Sequence, residues 1–231
     1  MSSWREIYQG DLQSLWALLL IPSAFLVYRA VVGAPRRGDR ESAFIASYSL
    51  GWTIETLLDP IAGGPLSRAL GWSDGIAGSL VMFGFVVLGD LRVFVLLFGL
   101  AAPGGLRRAL GFSAIVPLAT AVVYGTASWL VPELHGQVMW LTYELCFVAM
   151  AVWLARVWLP RQIGTDRPEL RAMLRSCVAY VAVYYALWAG CDVLILLGID
   201  EGWALRMVPN QLYYALWVPF VYVRYQAMRA R

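Results

Sequence analysis

Four acidic residues lie inside strongly apolar stretches of this 231-residue sequence, where charged groups are rare. Glu55 and Asp59 share one stretch, Glu144 and Asp192 lie in two later ones, and Asn210 lies in the last. A charged side chain at the centre of a membrane costs about 2.5–3.5 kcal/mol even on lenient scales, so such groups usually face a bundle interior and mark function. Buried carboxyl groups can donate and accept protons, which is the chemistry of a general acid or base.

These acids cannot all be ionised without a counter-charge, because desolvation and like charges both favour the neutral form. We therefore expect at least one of them to be protonated and able to donate a proton. The alternative is that some carboxyls only hydrogen-bond between helices, and Asp59, next to Pro60, fits either role.

A second pair, Asp90 and Arg92, lies in the third apolar stretch. Positions i and i+2 do not face each other on a helix, so these two are not expected to pair directly. We expect Arg92 to pair with an acid on another helix or to extend toward the membrane surface, and we interpret this pair as structural.

Aromatic residues accompany the acids at helical spacing. Each of three tryptophans precedes an acid by three or four residues, which places it on the same helix face. Aromatic faces stabilise cations, although tryptophan and tyrosine also form belts at membrane surfaces. The predicted substrate-binding residues are Trp52, Asp59, Trp140, Trp188, Asn210 and Tyr213.

The composition indicates a multi-pass membrane protein, with 60% hydrophobic residues, 14% charged residues and a mean hydropathy of +0.64. All 18 basic residues are arginines, and without lysine no retinal Schiff base can form. His135 is the single histidine, which argues against zinc and haem sites. Oxygen ligands from Glu55, Asp59 and Asp192 would suit Mg²⁺, but we predict a site without metal or cofactor. The expected partners are the lipid bilayer and a small hydrophobic or cationic molecule, with no nucleic acid.

Seven segments have the roughly 20 mostly apolar residues that a membrane span needs. We predict an all-α, seven-helix bundle that forms one domain over residues 1–231, located in the inner membrane if the source is bacterial. The first apolar run is expected to be a retained helix. The predicted spans are 12–33, 42–62, 76–101, 111–131, 136–158, 174–198 and 204–226.

The arginines alternate between the two sides of this bundle. The first, third and fifth loops and the C-terminus hold 14 of them, whereas the N-terminus and the other loops hold Arg5, Arg68 and Arg206. Arg92 was the one arginine assigned to a span. By the positive-inside rule, the N-terminus is outside and the C-terminus is cytoplasmic. At 1.5 Å per residue, the polar groups of four helices then lie at similar depth in the outer leaflet, and Asp90 and Arg92 lie deeper.

The segment GWTIETLLDP, with Trp52, Glu55 and Pro60, resembles the integral-membrane meroterpenoid cyclases. The resemblance covers about ten residues. It implies a proton-initiated cyclisation of a prenyl chain that uses a glutamate of the second helix and an aspartate of a late helix. The last helix here has no acid, so Asp192 in the sixth would have to take that role.

The leading hypothesis is therefore an intramembrane enzyme acting on a lipid-like, isoprenoid substrate. Glu55 would be the acid or its partner, Asp192 the second member of the pair, and Glu144 the group that tunes them. The alternative is a proton-coupled transporter or a receptor for a cationic or amphipathic molecule, since carboxylates and aromatic rings also suit such a ligand.

Overall fold

The structure of the protein, a computed structural model, describes residues 3–32, 39–72, 76–101, 105–131 and 133–230. These residues are almost entirely helical and contain no strand. The helices in chain order are α1 (Trp4–Gln9), α2 (Ala17–Val32), α3 (Arg40–Ile61), α4 (Ser67–Ala69), α5 (Ile76–Ala101), α6 (Gly105–Ser113), α7 (Ile115–Leu130), α8 (Gln137–Trp153), α9 (Leu159–Gln162), α10 (Pro168–Leu196), α11 (Glu201–Leu205), α12 (Met207–Asn210) and α13 (Trp217–Arg229).

Five helical stretches among the described residues are long and apolar enough to cross a membrane, which confirms the prediction of an all-α, multi-pass membrane protein. Two further stretches that we predicted as spans, α3 and the run from α11 to α13, are helical but more polar. The five apolar stretches are Leu12–Val32, Phe83–Ala101, Gly105–Leu130, Gln137–Gln162 and Pro168–Leu196.

Short π-helical turns widen several of these helices, and proline accounts for two of them. Pro160 and Pro219 cannot donate the hydrogen bond to the carbonyl four residues earlier, which belongs to Arg156 or Ala215 inside a turn. The backbone therefore relaxes to the wider spacing. The π-helical turns are Leu12–Trp16, Ala62–Leu66, Leu154–Trp158 and Gln211–Leu216.

The helix predicted over 111–131 begins earlier, at Gly105, and breaks at Ala114 between α6 and α7. Pro117 lacks the N–H that would bond to the carbonyl of Ser113, so one hydrogen bond of the helix is missing there, although Ala114 and Leu118 donate to Leu110 and Ala114 as in a continuous helix. The Ser113 hydroxyl instead donates to the carbonyl of Leu110 at 2.9 Å. A local backbone effect therefore explains the shifted boundary.

The core of the protein surrounds α5, whose side chains are buried on all faces from Val93 to Phe98 except at Val95. A helix that is apolar on every face belongs at the centre of a bundle. The buried side chains that complete this core come from α8, α10 and α13 and include Phe147, Val178, Val181, Trp217 and Val218. Large apolar side chains on the outer faces, including Leu20, Val31, Leu80, Val122 and Trp129, are exposed and suit a hydrocarbon surrounding.

Asp39 joins the beginning of α3 to the end of α13. Its carboxylate caps α3 by accepting a hydrogen bond of 2.8 Å from the backbone N–H of Ser42, and it pairs with Arg229 at 2.7 Å. The bond from Ser42, helped by Arg229, lowers the pKa of Asp39 below its ordinary value of 3.8. The ionised Asp39 cap therefore stabilises the folded protein fully above about pH 3.8, and this stabilisation is lost as the pH falls through the lowered pKa of Asp39.

Candidate functional site

Asp90, on α5, is a fully buried acid. Its side chain is 0% exposed, and the hydroxyls of Tyr143 on α8 and Tyr185 on α10 both donate to its carboxylate. Hydrogen bonds to an ionised acceptor are about twice as strong as neutral ones, so this arrangement favours a carboxylate that accepts from two phenols. Asp90 therefore links three helices at the centre of the protein.

Arg92, also on α5, lies among aromatic rings and backbone carbonyls. It is 1% exposed, its Nη2 donates to the carbonyl of Tyr213, and its guanidinium lies 4.2 Å from the centre of the Tyr213 ring and 5.9 Å from that of Trp217. Among the described residues, no carboxylate lies within 4.0 Å of it. The prediction that Arg92 pairs with an acid or reaches the membrane surface is therefore wrong, because aromatic faces and a carbonyl solvate the guanidinium instead.

A short hydrogen-bond chain fixes the backbone around Arg92. The Tyr48 hydroxyl on α3 donates to the carbonyl of Arg92 at 3.0 Å and accepts from Nε1 of Trp217 at 2.9 Å. One turn earlier on α5, Gly89 leaves room for the Tyr213 hydroxyl, which a Cβ at that position would overlap. We call Asp90, Arg92 and the residues that contact them, Tyr48, Tyr143, Tyr185, Tyr213 and Trp217, the Arg92 cluster.

Glu55 and Asp59 lie on α3, on the side of the Arg92 cluster. Glu55 is partly buried and within coulombic range of Arg92, and Asp59 is within coulombic range of Glu55. Trp52, one turn before Glu55, packs against Tyr48 with ring centres 6.2 Å apart. No described contact joins Glu55 to Asp192, and on its own helix the contact that reaches the Arg92 cluster is that of Trp52 with Tyr48.

A second buried cluster forms around Arg206, which precedes α12. Arg206 is 8% exposed, its Nη1 contacts Oδ1 of Asp192, and its Nη2 lies 3.7 Å from Oε1 of Glu144. The two acids are 0% and 3% exposed, respectively. One guanidinium thus serves two carboxylates from α8 and α10, and Oε2 of Glu144 has no hydrogen-bond partner among the described residues.

Asn210 extends this cluster toward the N-terminal helix. Its Oδ1 accepts hydrogen bonds from Nε1 of Trp188 at 2.9 Å and from the Tyr8 hydroxyl at 3.3 Å. The same hydroxyl accepts from Nε of Arg206 at 3.5 Å. We call Arg206, Glu144, Asp192, Asn210, Trp188 and Tyr8 the Arg206 cluster.

The two clusters meet through aromatic rings. The Trp188 and Tyr213 rings lie 5.1 Å apart, and Trp140 packs against Tyr143 at 6.4 Å. Of the six predicted substrate-binding residues, Trp188 and Asn210 belong to the Arg206 cluster and Tyr213 to the Arg92 cluster. Trp140 and Trp52 pack against Tyr143 and Tyr48 of the Arg92 cluster, and Asp59 lies one turn after Glu55 on α3.

Sequence reasoning missed the roles of Arg206, Tyr8 and Tyr185. Arg206 was assigned to a loop although it falls inside the span predicted over 204–226. The need of several buried acids for a counter-charge was the signal that could have identified it. The tyrosines carried no such signal, because their hydroxyls also suit a membrane interface.

A metal site receives no support from the geometry. Glu55, Asp59 and Asp192, the acids considered for Mg²⁺, are not brought together, and no group of three His, Cys, Asp or Glu side chains in the described ranges is placed to hold an ion. His135 uses its Nδ1 to accept a hydrogen bond from the backbone of Gln137 at 3.1 Å.

No family model, curated protein or solved structure matches this chain.

Proposed function

We propose that the chain crosses the membrane seven times, with its N-terminus outside and its C-terminus in the cytoplasm. The five apolar stretches, together with α3 and the run from α11 to α13, supply the spans. The arginine asymmetry supports the orientation, and the burial of Arg206 strengthens it. With Arg206 inside the protein, only Arg5 and Arg68 remain on the outer side against 14 on the other.

Reporter fusions test this orientation. A C-terminal alkaline phosphatase is expected to be inactive and a C-terminal fluorescent protein to be bright, because the arginine asymmetry places that terminus in the cytoplasm. An active phosphatase at the C-terminus would reverse the orientation and remove the argument that the acids lie in the outer leaflet.

We propose that the protein is an intramembrane enzyme that uses a buried carboxyl group as general acid on a lipid-like, isoprenoid substrate. The supporting observation is that Glu55 lies beside the Arg92 cluster without an ion-pair partner among the described residues. Arg92 acts on Glu55 only at a distance, and the loss of water in an apolar surrounding favours the carboxyl group with its proton on. Its partial exposure leaves that proton within reach of a substrate in the bilayer.

Asp90 is the matching base in this proposal, in place of Asp192. It belongs to the Arg92 cluster, beside which Glu55 lies, and the hydroxyls of Tyr143 and Tyr185 both donate to its carboxylate and hold it in place. The Glu55 proton adds to a terminal alkene carbon, the resulting carbocation closes a ring by attack of a second alkene, and the cyclised carbocation loses a proton to Asp90 to form a new double bond. The product is an isomer of the substrate, and the proton then returns to Glu55.

The aromatic residues would stabilise the positive charge that develops on the substrate. Trp52, Tyr213 and Trp188 lie between or beside the two clusters, and aromatic faces attract cations most strongly where water is excluded. Glu144 and Asp192 share Arg206 and supply a fixed, partly neutralised charge next to this region. In this proposal Glu144 keeps the tuning role, and Asp192 shares it.

Deuterium incorporation tests the proposed chemistry. The purified protein, in nanodiscs made up in D₂O, is incubated with a panel of prenylated phenols, prenylated quinones and neutral prenyl lipids. At least one is expected to yield an isomer with a single deuterium on carbon, because the acid proton exchanges with solvent and is delivered to an alkene. If no isomer forms from the whole panel above the level with heat-inactivated protein, the proposal fails.

A second candidate function is binding or transport of an organic cation. The Arg206 cluster favours it, since one guanidinium faces two carboxylates and lies within 6.0 Å of the Tyr8 and Trp203 ring centres. A quaternary ammonium ion would balance the second negative charge of Glu144 and Asp192, which Arg206 alone does not neutralise. A rise in unfolding temperature with tetramethylammonium, and no deuterated product, would favour this function.

Transport also needs a polar route to the far side of the membrane. Beyond Arg92, α5 presents Val93, Phe94, Leu96 and Leu97, all buried, and this apolar section favours a site that opens to one side. We therefore rank the enzyme first.

A further inference from the structure

An open groove lies beside the beginning of α10, away from both buried clusters. Its volume is about 490 Å³, and its lining runs up one face of the helix at the spacing of successive turns. Arg171 and Arg175 form the polar end with Thr165 and Ser176, Ala172 lies between the two arginines, and Ala179 continues the surface one turn beyond Arg175. The groove therefore has a basic end and a smooth, small-residue end.

The charged side chains of the groove lining are all positive, because no acidic residue lines the groove. Arg175 is exposed, and Arg171, one turn earlier, is held in place by donating to the carbonyl of Ile163. Arg224 of α13 adds a third guanidinium at the wall, where its Nε donates to Oγ of Ser176 at 3.0 Å. An anion at this end would meet two or three arginines.

The groove also lies at the depth where a membrane lipid would lie. α10 is a membrane-spanning stretch from Pro168 to Leu196, so its first turns lie at the level of the headgroups. Ala179 lies about 12 Å beyond Arg171 along the helix axis, in the hydrocarbon. Exposed alanines at Ala172 and Ala179 leave space for an acyl chain. Basic pockets at this level bind the headgroups of anionic lipids.

We propose that this groove is a binding site for an anionic phospholipid, with the phosphate at Arg171 and Arg175 and one acyl chain along Ala172 and Ala179. The site is separate from the proposed chemistry at Glu55 and does not depend on it. Its ligand is a lipid with a net negative headgroup. A zwitterionic lipid lacks the net charge that the arginines attract.

Native mass spectrometry of the purified protein tests the site. Phosphatidylglycerol is expected to bind more tightly than phosphatidylcholine with the same acyl chains. Arg175→Gln should weaken phosphatidylglycerol binding about fivefold, the loss of one arginine contact near a membrane surface. Arg108→Gln is the matched control, because Arg108 is exposed on α6 and does not line the groove. Equal binding of the two lipids, or equal effects of the two substitutions, would overturn the proposal.

A second variant separates a lipid from a free anion. Ala179→Phe is expected to weaken the binding of phosphatidylglycerol while leaving the weak binding of glycerol phosphate unchanged, since it blocks only the path of the acyl chain. Ala179 is exposed, so the variant should fold, and an unchanged unfolding temperature without added lipid checks this. Glycerol phosphate that binds as tightly as the whole lipid would identify a simple anion site and would contradict the proposal.

Discussion

Replacing Arg206 by glutamine is expected to destabilise the protein by about 3–5 kcal/mol, because removing one member of a buried ionic group leaves uncompensated charge. Asp192 and Glu144 would lose their only described counter-ion while remaining buried. The loss is measured as a lower unfolding temperature with a thiol-reactive dye, for which the buried Cys177 and Cys191 are natural reporters.

Two further variants make this test specific. Arg68→Gln breaks an ion pair with Asp11 whose side chains are both about half exposed, and such a pair contributes at most about 1 kcal/mol. Asp192→Asn introduced together with Arg206→Gln should recover part of the lost stability, because it removes the acid closest to the missing guanidinium. If Arg206→Gln is as stable as Arg68→Gln, the Arg206 cluster does not hold the helices together.

The second large effect is expected at Glu55. Glu55→Gln should abolish deuterium incorporation while leaving the protein folded, because glutamine keeps the size and hydrogen-bonding groups of a protonated glutamate but has no acidic proton. Asp59→Asn should have a smaller effect, since Asp59 lies one turn further from the Arg92 cluster. The measurement is deuterated product per amount of folded protein.

Glu133→Gln is the control for this experiment, because Glu133 is exposed in the turn before α8. It should retain full incorporation. Full activity in Glu55→Gln, with loss only in Asp59→Asn, would instead make Asp59 the acid and would require a different base.

The helices could be predicted from composition because a membrane span must satisfy its backbone hydrogen bonds internally and present apolar side chains to lipid. Helix boundaries were less predictable where proline acts. The break at Ala114 depends on Pro117 and Ser113, which form a local arrangement that a window of hydropathy cannot detect. The same holds for the π-helical turns before Pro160 and Pro219.

The members of the candidate site could be predicted in part, and their partners could not. Depth along each helix predicted one site for Glu55, Glu144 and Asp192, whereas the described contacts join Glu144 and Asp192 through Arg206 and do not include Glu55. Which residue lies between them depends on how each helix is rotated, and sequence spacing does not contain that information across different helices. Arg206 was therefore missed, and Arg92 was given an acid as partner instead of the Tyr213 ring.

Arg206, the counter-ion that Glu144 and Asp192 share, comes later in the chain than either acid, and this has a consequence for biosynthesis. The helices that carry Glu144 and Asp192 leave the ribosome before Arg206 does, so both acids must enter the membrane before their counter-ion exists. They can do so cheaply only as neutral acids. The nascent chain therefore carries two unpaired acids until its last helix arrives, and a chain that stops short of Arg206 would present the membrane quality-control machinery with a recognisable defect.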